Sequence, residues 1–299
     1  MSTPIRRQLE TLLAGGGALA ALPLRHRLFG APTLDSVLAG KTVMITGASS
    51  GIGHAVALKV AEAGARAVLV ARSQSKLLEL KRVVDLCGGR ALAYTADLSS
   101  GRSVDALLAR LAADGVTVDV LVNNAGRSIR RSIEHAALRL HDYERTMALN
   151  YFGSVRLILA LLPGMRAQKS GHVINVSSAG VQMGTPLFSA YVASKAALDA
   201  FTRVAAGETR DDRVRFTTVH MPLVRTPMIA VTEAYRDVDA LSPEDAADLV
   251  LRPLITHETQ LGTRLAKLFN LAHIVAPEAV ERLMSFGLRR AQNPPAKAA

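Results

Sequence analysis

A short apolar run, Lys41-Thr42-Val43-Met44-Ile45-Thr46, passes directly into Gly47-Ala48-Ser49-Ser50-Gly51-Ile52-Gly53 and then into an Ala-rich helical stretch reaching about Ala63. No other feature restricts the fold as strongly. A run of this length and composition reads as a buried strand, and the glycines permit the sharp turn that starts a helix behind it. Strand, turn and helix start together make an anion site. The first-turn N–H groups and the helix dipole favour a phosphate, and glycine lets the backbone approach it. The spacing is Gly-x-x-x-Gly-x-Gly, which also suits a plain tight connection.

Four more segments lead the same way. The strand Ala67–Ala71 ends in Arg72-Ser73, the strand Ala91–Thr95 leads to Asp97, the strand Val118–Val122 leads to Asn123-Asn124-Ala125-Gly126, and His172–Val176 ends in Ser177-Ser178. Helical stretches separate them, so the spacing predicts an α/β fold with a doubly wound parallel sheet and ligands at the carboxyl ends of its strands. An acid after the second strand would suit the ribose of NAD. The cation Arg72 favours instead the 2′-phosphate of NADP.

Tyr191-Val192-Ala193-Ser194-Lys195 carries the chemistry. Residues four apart share one helix face, so the Tyr191 phenol and the Lys195 ammonium would stand together. A free phenol, with a pKa of about 10, is a poor proton donor at neutral pH, and a nearby cation draws it toward the working range. At this spacing a surface contact is the common alternative, and the upstream motifs give the pair its weight.

With Thr46 to Gly53, Asn123 to Gly126, Ser178, and Tyr191 with Lys195 in this order, the chain resembles the short-chain dehydrogenase/reductase family over roughly residues 40 to 255. The resemblance implies a Rossmann-type catalytic domain over 40–260, NADP(H) as cofactor, and hydride transfer to a carbonyl carbon. It assigns Tyr191 as proton donor, Ser178 as a second donor to the same oxygen, and Lys195 to the Tyr pKa and the ribose. Asn150 would hold a water beside the Lys. The family's thirteen-residue spacing before Tyr191 selects Ser178 over Ser177, and strand alternation sends Ser177 the other way. The cofactor would meet Gly47, Ser49, Ser50, Gly51, Ile52, Gly53, Arg72, Asp97, Asn124, Ala125, Gly126, Tyr191, Lys195 and Thr226. One departure stands out: after the sixth strand, Arg215–His220, Leu223 occupies the place of a common family glycine.

The stretches Asn123 to Arg131, His141 to Asn150, Met221 to Ile229 and Leu241 to Leu249 resemble bacterial long-chain fatty acyl-CoA reductases of this fold. Met183, Phe188, Met221, Leu223, Met228 and Ile229 would suit an acyl chain, or simply fill core. Arg127, Arg130 and Arg131 would meet coenzyme A phosphates, or form a solvated basic loop. The expected reaction reduces long-chain acyl-CoA to aldehyde with NADPH. Fatty aldehydes, 3-oxoacyl chains and other lipid carbonyls are alternative substrates, and an NADP-binding structural or sensor protein is the non-enzymatic one.

The 299 residues carry a formal charge of +11 and one cysteine. That charge fits acidic ligands or an anionic membrane, while few aromatics and no recognised binding motif argue against nucleic acid. Cys87 reads as structural, no Cys/His pattern suggests a metal, and a reducing cytosolic setting follows. Residues 1–39 form an expected helical extension. Arg6-Arg7 before an apolar run over 12–24 imitates a signal peptide, but a triple glycine interrupts the run. After 260, Leu261, Leu265, Leu268, Phe269, Ala272 and Val275 recur at helical spacing beside Arg264 and Lys267, and a second set follows from Val280 beside Arg282, Arg289 and Arg290. Such helices over 261–299 suit peripheral contact with the inner membrane face, or a homo-oligomer interface.

Overall fold

The computed structural model describes residues 32–292 apart from 231 and 237. The signal-like segment at the N-terminus and the tail from Asn293 lie outside the described residues.

Seven strands form one parallel sheet in the order β3-β2-β1-β4-β5-β6-β7. They are β1 Thr42–Thr46, β2 Arg66–Ala71, β3 Arg90–Thr95, β4 Val120–Asn123, β5 Gly171–Ser178, β6 Val214–Met221 and β7 Gln260–Gly262. Most of these strands are buried along their length, as parallel strands covered on both faces must be. The chain order reverses between β1 and β4, and that switch point opens the crevice in which such sheets bind ligands.

Two apolar clusters sandwich the sheet. On one face the helices Gly51–Glu62 and Pro243–Leu251 pack Val56, Val60, Ala247 and Val250 against Val43, Ile45 and Leu69. On the other, Leu157, Ile158 and Leu198, from helices Ser154–Ala167 and Ser189–Glu208, meet Met44, Val68 and Leu121. The continuous helical stretch Leu140–Ala167 is long and apolar enough to cross a membrane by composition, yet it lies along this second face.

Two features differ from the sequence reading. The strand β7 is a seventh, and its three residues are too short to leave a periodic signal. Leu261, read above as the first position of a helix, is the buried centre of that strand, so the expected boundary after 260 falls inside the sheet. Beyond it, helices Arg264–Val275 and Pro277–Gln292 form where the apolar spacing predicts them. Cys87 caps the helix Gln74–Leu86 and is exposed.

Candidate active site

At the carboxyl end of β1 the backbone turns so tightly that side chains are excluded. A Cβ on Gly53 would lie 2.4 Å from the Gly47 carbonyl oxygen and 2.6 Å from Asn124 Nδ2. Gly51 sits at φ +56°, where a Cβ would lie 2.9 Å from Thr226 Cγ2. Ser50 precedes the helix Gly51–Glu62 without forming a side-chain cap. First-turn N–H groups thus remain for an anion. Thr46 fastens this turn to β4: its hydroxyl donates to the Val122 carbonyl at 3.2 Å and accepts from the N–H groups of Asn124 (2.9 Å) and Ala125 (3.0 Å). Asn124 Nδ2 returns a bond to the Thr46 carbonyl at 2.9 Å.

A cleft of about 960 Å³ runs from this turn across the carboxyl ends of the strands. Gly47, Ser49, Ser50, Gly51, Ile52, Asn124, Ala125, Gly126 and Thr226 line it. Arg72 also lines it, joined by Ser73 and Lys76, which sequence reasoning did not single out. Lys76 follows Arg72 by one helical turn, a signal available in the sequence. Asp97 stands behind this wall. Its Oδ1 accepts from Ser99 N (3.0 Å) and Ser99 Oγ (2.7 Å), which hold its carboxyl below the usual range, aided by the charges of Arg72 and Arg127. The combination suits a dinucleotide bearing an extra phosphate.

The strand β5 delivers the two serines in opposite directions. Ser178 Oγ caps the short helix Ala179–Met183, accepting from Gly180 N at 3.1 Å, and faces the Tyr191 phenol. Ser177 is buried and faces Asp199. Tyr191, Lys195 and Asp199 descend one face of the helix Ser189–Glu208 at four-residue intervals.

Lys195 Nζ donates to the Val176 carbonyl at 2.7 Å, and burial pushes its pKa down to about 8, with Asp199 acting against that shift. Tyr191 stands above its ordinary value rather than below it. Burial is the main cause, and Ser178 opposes it. Asp199 and Tyr235 add to the rise, and the expected lowering by Lys195 does not counter it in this arrangement. Tyr191 therefore holds its proton at neutral pH.

Asn150 lies in a π-helical turn, Ala148–Gly153, of the kind common at functional sites. The chain there runs close to the end of β3, where a Cβ on Gly153 would meet the Leu98 carbonyl at 2.4 Å. The Asn150 side chain clasps Arg127, accepting from its N–H (2.8 Å) and donating to its carbonyl (2.9 Å). Its Nδ2 also reaches Ser194 Oγ at 2.9 Å, and that hydroxyl donates to the Tyr191 carbonyl at 2.7 Å. Ser194, unremarked in the sequence although adjacent to Lys195, thereby ties Asn150 to the helix carrying the Tyr.

Met183, Phe188, Met221, Leu223, Met228 and Ile229 all line the cleft beyond Tyr191. Tyr235, which the sequence did not mark, stacks on Phe188 with ring centroids 6.3 Å apart. Of the three arginines, Arg130 alone lines the cleft. Arg127 is held by its backbone and faces Asp97. Arg131 turns away to the buried Asp142, donating from Nε at 2.9 Å alongside Arg139 and Arg145. A guanidinium already committed to a buried carboxylate is poorly placed to serve a ligand.

Comparison with known proteins agrees with this geometry. Residues 41–236 match the family model described as short chain dehydrogenase. The chain is 48% identical over 248 residues to a protein named fatty acyl-CoA reductase from Acinetobacter baylyi, covering 83% of this chain and 84% of that one. A second protein so named, from Mycobacterium tuberculosis, is 40% identical over 283 residues, with 94% and 96% covered. Among solved structures, a 3-oxoacyl (acyl-carrier-protein) reductase from Agrobacterium tumefaciens with NADP bound superposes with a TM-score of 0.70 at 27% identity, covering 78% of this chain and 97% of that one. With its parallel sheet, its glycine turn and a Tyr and Lys facing one cleft, the chain belongs to the short-chain dehydrogenase family of oxidoreductases.

Proposed function

We propose that the protein is an NADPH-dependent reductase of long-chain fatty acyl-CoA that yields the fatty aldehyde. One observation carries the reading: Tyr191, which holds its proton, lines one cleft with Ser178 and with the apolar set Met183, Phe188, Met221, Leu223, Met228 and Ile229. The names of the relatives from Acinetobacter baylyi and Mycobacterium tuberculosis support the same substrate class.

The residues present fit NADP(H). The uncapped helix start at Ser50 and the glycine turn suit the pyrophosphate, and Arg72 with Ser73 and Lys76 suits the 2′-phosphate. Bound there, the cofactor supplies the hydride for the carbonyl carbon. Tyr191 Oη gives its proton to the carbonyl oxygen as negative charge develops on it, and Ser178 Oγ donates a second hydrogen bond to that oxygen. Lys195 keeps a positive charge beneath Tyr191. Asn150 braces the Arg127 backbone and Ser194, which fixes the floor on which both stand. The hemithioacetal hydroxyl then returns its proton to the Tyr191 phenolate as the carbon–sulfur bond breaks, releasing aldehyde and the coenzyme A thiolate, and no enzyme thiol takes part. Arg130 is the arginine placed to meet a coenzyme A phosphate at the cleft wall.

The helix Arg264–Val275 completes the reading for a substrate that partitions into lipid. Leu265, Leu268, Leu271, Ile274 and Val275 are exposed on it, Arg264 and Lys267 stand among them, and it contains no acid. It packs against the helix Ala179–Met183, whose last residue lines the cleft. We place this face on anionic lipid at the inner surface of the cytoplasmic membrane.

Steady-state oxidation of NADPH with palmitoyl-CoA tests the function, with palmitaldehyde as comparison. The reading requires oxidation that depends on palmitoyl-CoA and is lost in Tyr191→Phe. Turnover of palmitaldehyde alone would retain the chemistry and reject the substrate. For the lipid contact, the protein should sediment with anionic but not neutral vesicles, and Leu268→Glu should abolish that; equal recovery of the variant would refute it.

A further inference from the structure

Behind Ser178 and Lys195 lies a buried polar cluster that the reaction above leaves unused. Asp199 stands one turn beyond Lys195 and is 5% exposed; His220, on β6, is 6% exposed and lies opposite Ser177 in the β5–β6 register. Asp199 Oδ2 and His220 Nδ1 are 3.6 Å apart, beyond a good hydrogen bond. Ser177 Oγ faces the same carboxylate, and the His220 ring meets the Ser178 backbone. Gln182 completes the group, since a Cβ on Gly262 would lie 3.0 Å from Gln182 Oε1 and 3.2 Å from His220 Cβ.

Buried polar atoms almost always find partners, so a concentration of exceptions requires a cause. Among the described residues five buried side-chain atoms have none, and four of them fall here: Ser177 Oγ, Gln182 Oε1, Asp199 Oδ1 and His220 Nδ1. A core built for stability alone would replace such a group with apolar side chains. This cluster persists directly under the Tyr191, Lys195 and Ser178 site.

We propose that Asp199 and His220 act together as positioning residues, holding Lys195 and Ser178 from behind, with the Asp199 carboxylate one helical turn below the Lys195 ammonium keeping that charge in place. The inference rests on the use of Tyr191, Lys195 and Ser178 in carbonyl reduction, and it is independent of the acyl-CoA assignment. Two placements transmit the effect: His220 lies on β6 beside the Ser177–Ser178 backbone of β5, and the Asp199 carboxylate, one turn from Lys195 on the same helix, favours its ammonium against burial.

The charges around the pair are of one sign. Lys195 and Arg203 face it from its own helix, and Lys267 from the helix Arg264–Val275. Across a small cavity of about 130 Å³ that His220 lines, Arg252 is already paired with the Glu258 carboxylate at 2.8 and 2.9 Å and so adds little net charge. From β5 and the helix Ala179–Met183 come only the neutral Ser177, Ser178 and Gln182. Burial pushes Asp199 up and His220 down, and each opposes the shift of the other.

The test reads Lys195 directly. The full-length protein, labelled with ¹³Cε-lysine and assigned with Lys195→Arg, is titrated by NMR without cofactor or substrate. In Asp199→Asn, which keeps the shape, the Lys195 midpoint should fall by about one pH unit. His220→Gln, which leaves the carboxylate in place, should lower kcat without lowering the Lys195 midpoint, and Asp199→Glu should restore part of the shift. Where a carbonyl substrate is turned over, the alkaline limb of kcat/KM should move with the NMR midpoint, with kcat reduced and KM little changed. An unchanged Lys195 titration in Asp199→Asn, accompanied only by a lower unfolding temperature, would overturn the proposal. Failure of palmitoyl-CoA turnover would leave the NMR result unaffected, so the two readings fail separately.

Discussion

His172 and His220 sit on neighbouring strands, β5 and β6, and both are 6% exposed, yet they lie at opposite ends of the sheet and live differently. At the amino end His172 Nε2 pairs with Thr217 Oγ1 at 2.9 Å, and that hydroxyl donates onward to the Glu258 carbonyl at 2.8 Å. Burial, with Arg215 and His257 nearby, pushes the His172 pKa down to about 3. Close by, Asp119 accepts from Thr42 N at 2.8 Å and from Lys41 Nζ at 3.3 Å. The amino end is closed. At the carboxyl end His220 Nδ1 and Asp199 Oδ1 lack partners, and Lys195 is buried with its charge. The difference teaches where this fold keeps its incomplete interactions: the polar groups named at the amino end are satisfied, and those left open, Asn123 Oδ1 at the end of β4 included, gather toward the carboxyl ends of the strands.

The largest effect expected from breaking this contrast is at the open end. Tyr191→Phe removes one hydroxyl and should lower kcat by about 10³-fold while leaving NADPH affinity near its original value. Fluorescence titration of NADPH with stopped-flow turnover checks both. A fall of less than tenfold would remove Tyr191 from the role of proton donor.

The closed end should respond in stability. Because the folded pKa of His172 lies below the unfolded value of 6.5, the unfolded chain binds the extra proton. Its contribution is full above pH 6.5 and is lost as pH falls toward about 3. The shift corresponds to at most about 5 kcal/mol, and His172→Gln should flatten that acid limb in urea unfolding measured across the window. The substitution should leave kcat unchanged. An acid limb identical in the variant would assign acid sensitivity to other groups.

Smaller effects sharpen the comparison. Arg72→Ala should reduce the preference for NADPH over NADH by about 10- to 100-fold, the worth of one or two hydrogen bonds to a charged group. Unchanged preference in paired kcat/KM measurements would give the phosphate to Lys76. Asp119→Ala strands Thr42 N and should cost about 1–2 kcal/mol of stability, read by urea midpoint, with no change in turnover.

Much of this contrast was legible in the chain and part was not. The glycine turn, Arg72, Asn124, and the Tyr191 and Lys195 pair were readable because each depends on local spacing that one strand-turn-helix unit or one helix face turns into geometry. The apolar wall from Met183 to Ile229 followed from residue type and from position near the carboxyl ends. His220 and Asp199 were invisible because they meet only through the β5–β6 register and a helix crossing it. Arg131 misled for a related reason: its partner Asp142 lies eleven residues on, and nothing local marks that acid as buried. The strand β7 escaped because three residues carry no period. Lys195 was placed correctly on its face, but its bond to the Val176 carbonyl depends on how that helix lies over β5.

The central claim is that the open end of the sheet reduces a thioester with NADPH. A single-turnover experiment tests it most directly, mixing excess enzyme and NADPH with palmitoyl-CoA and quantifying free thiol, aldehyde and oxidised cofactor together. The account predicts one thiol and one aldehyde for each NADPH oxidised, all three suppressed in Tyr191→Phe. Oxidation of NADPH without release of thiol would contradict it.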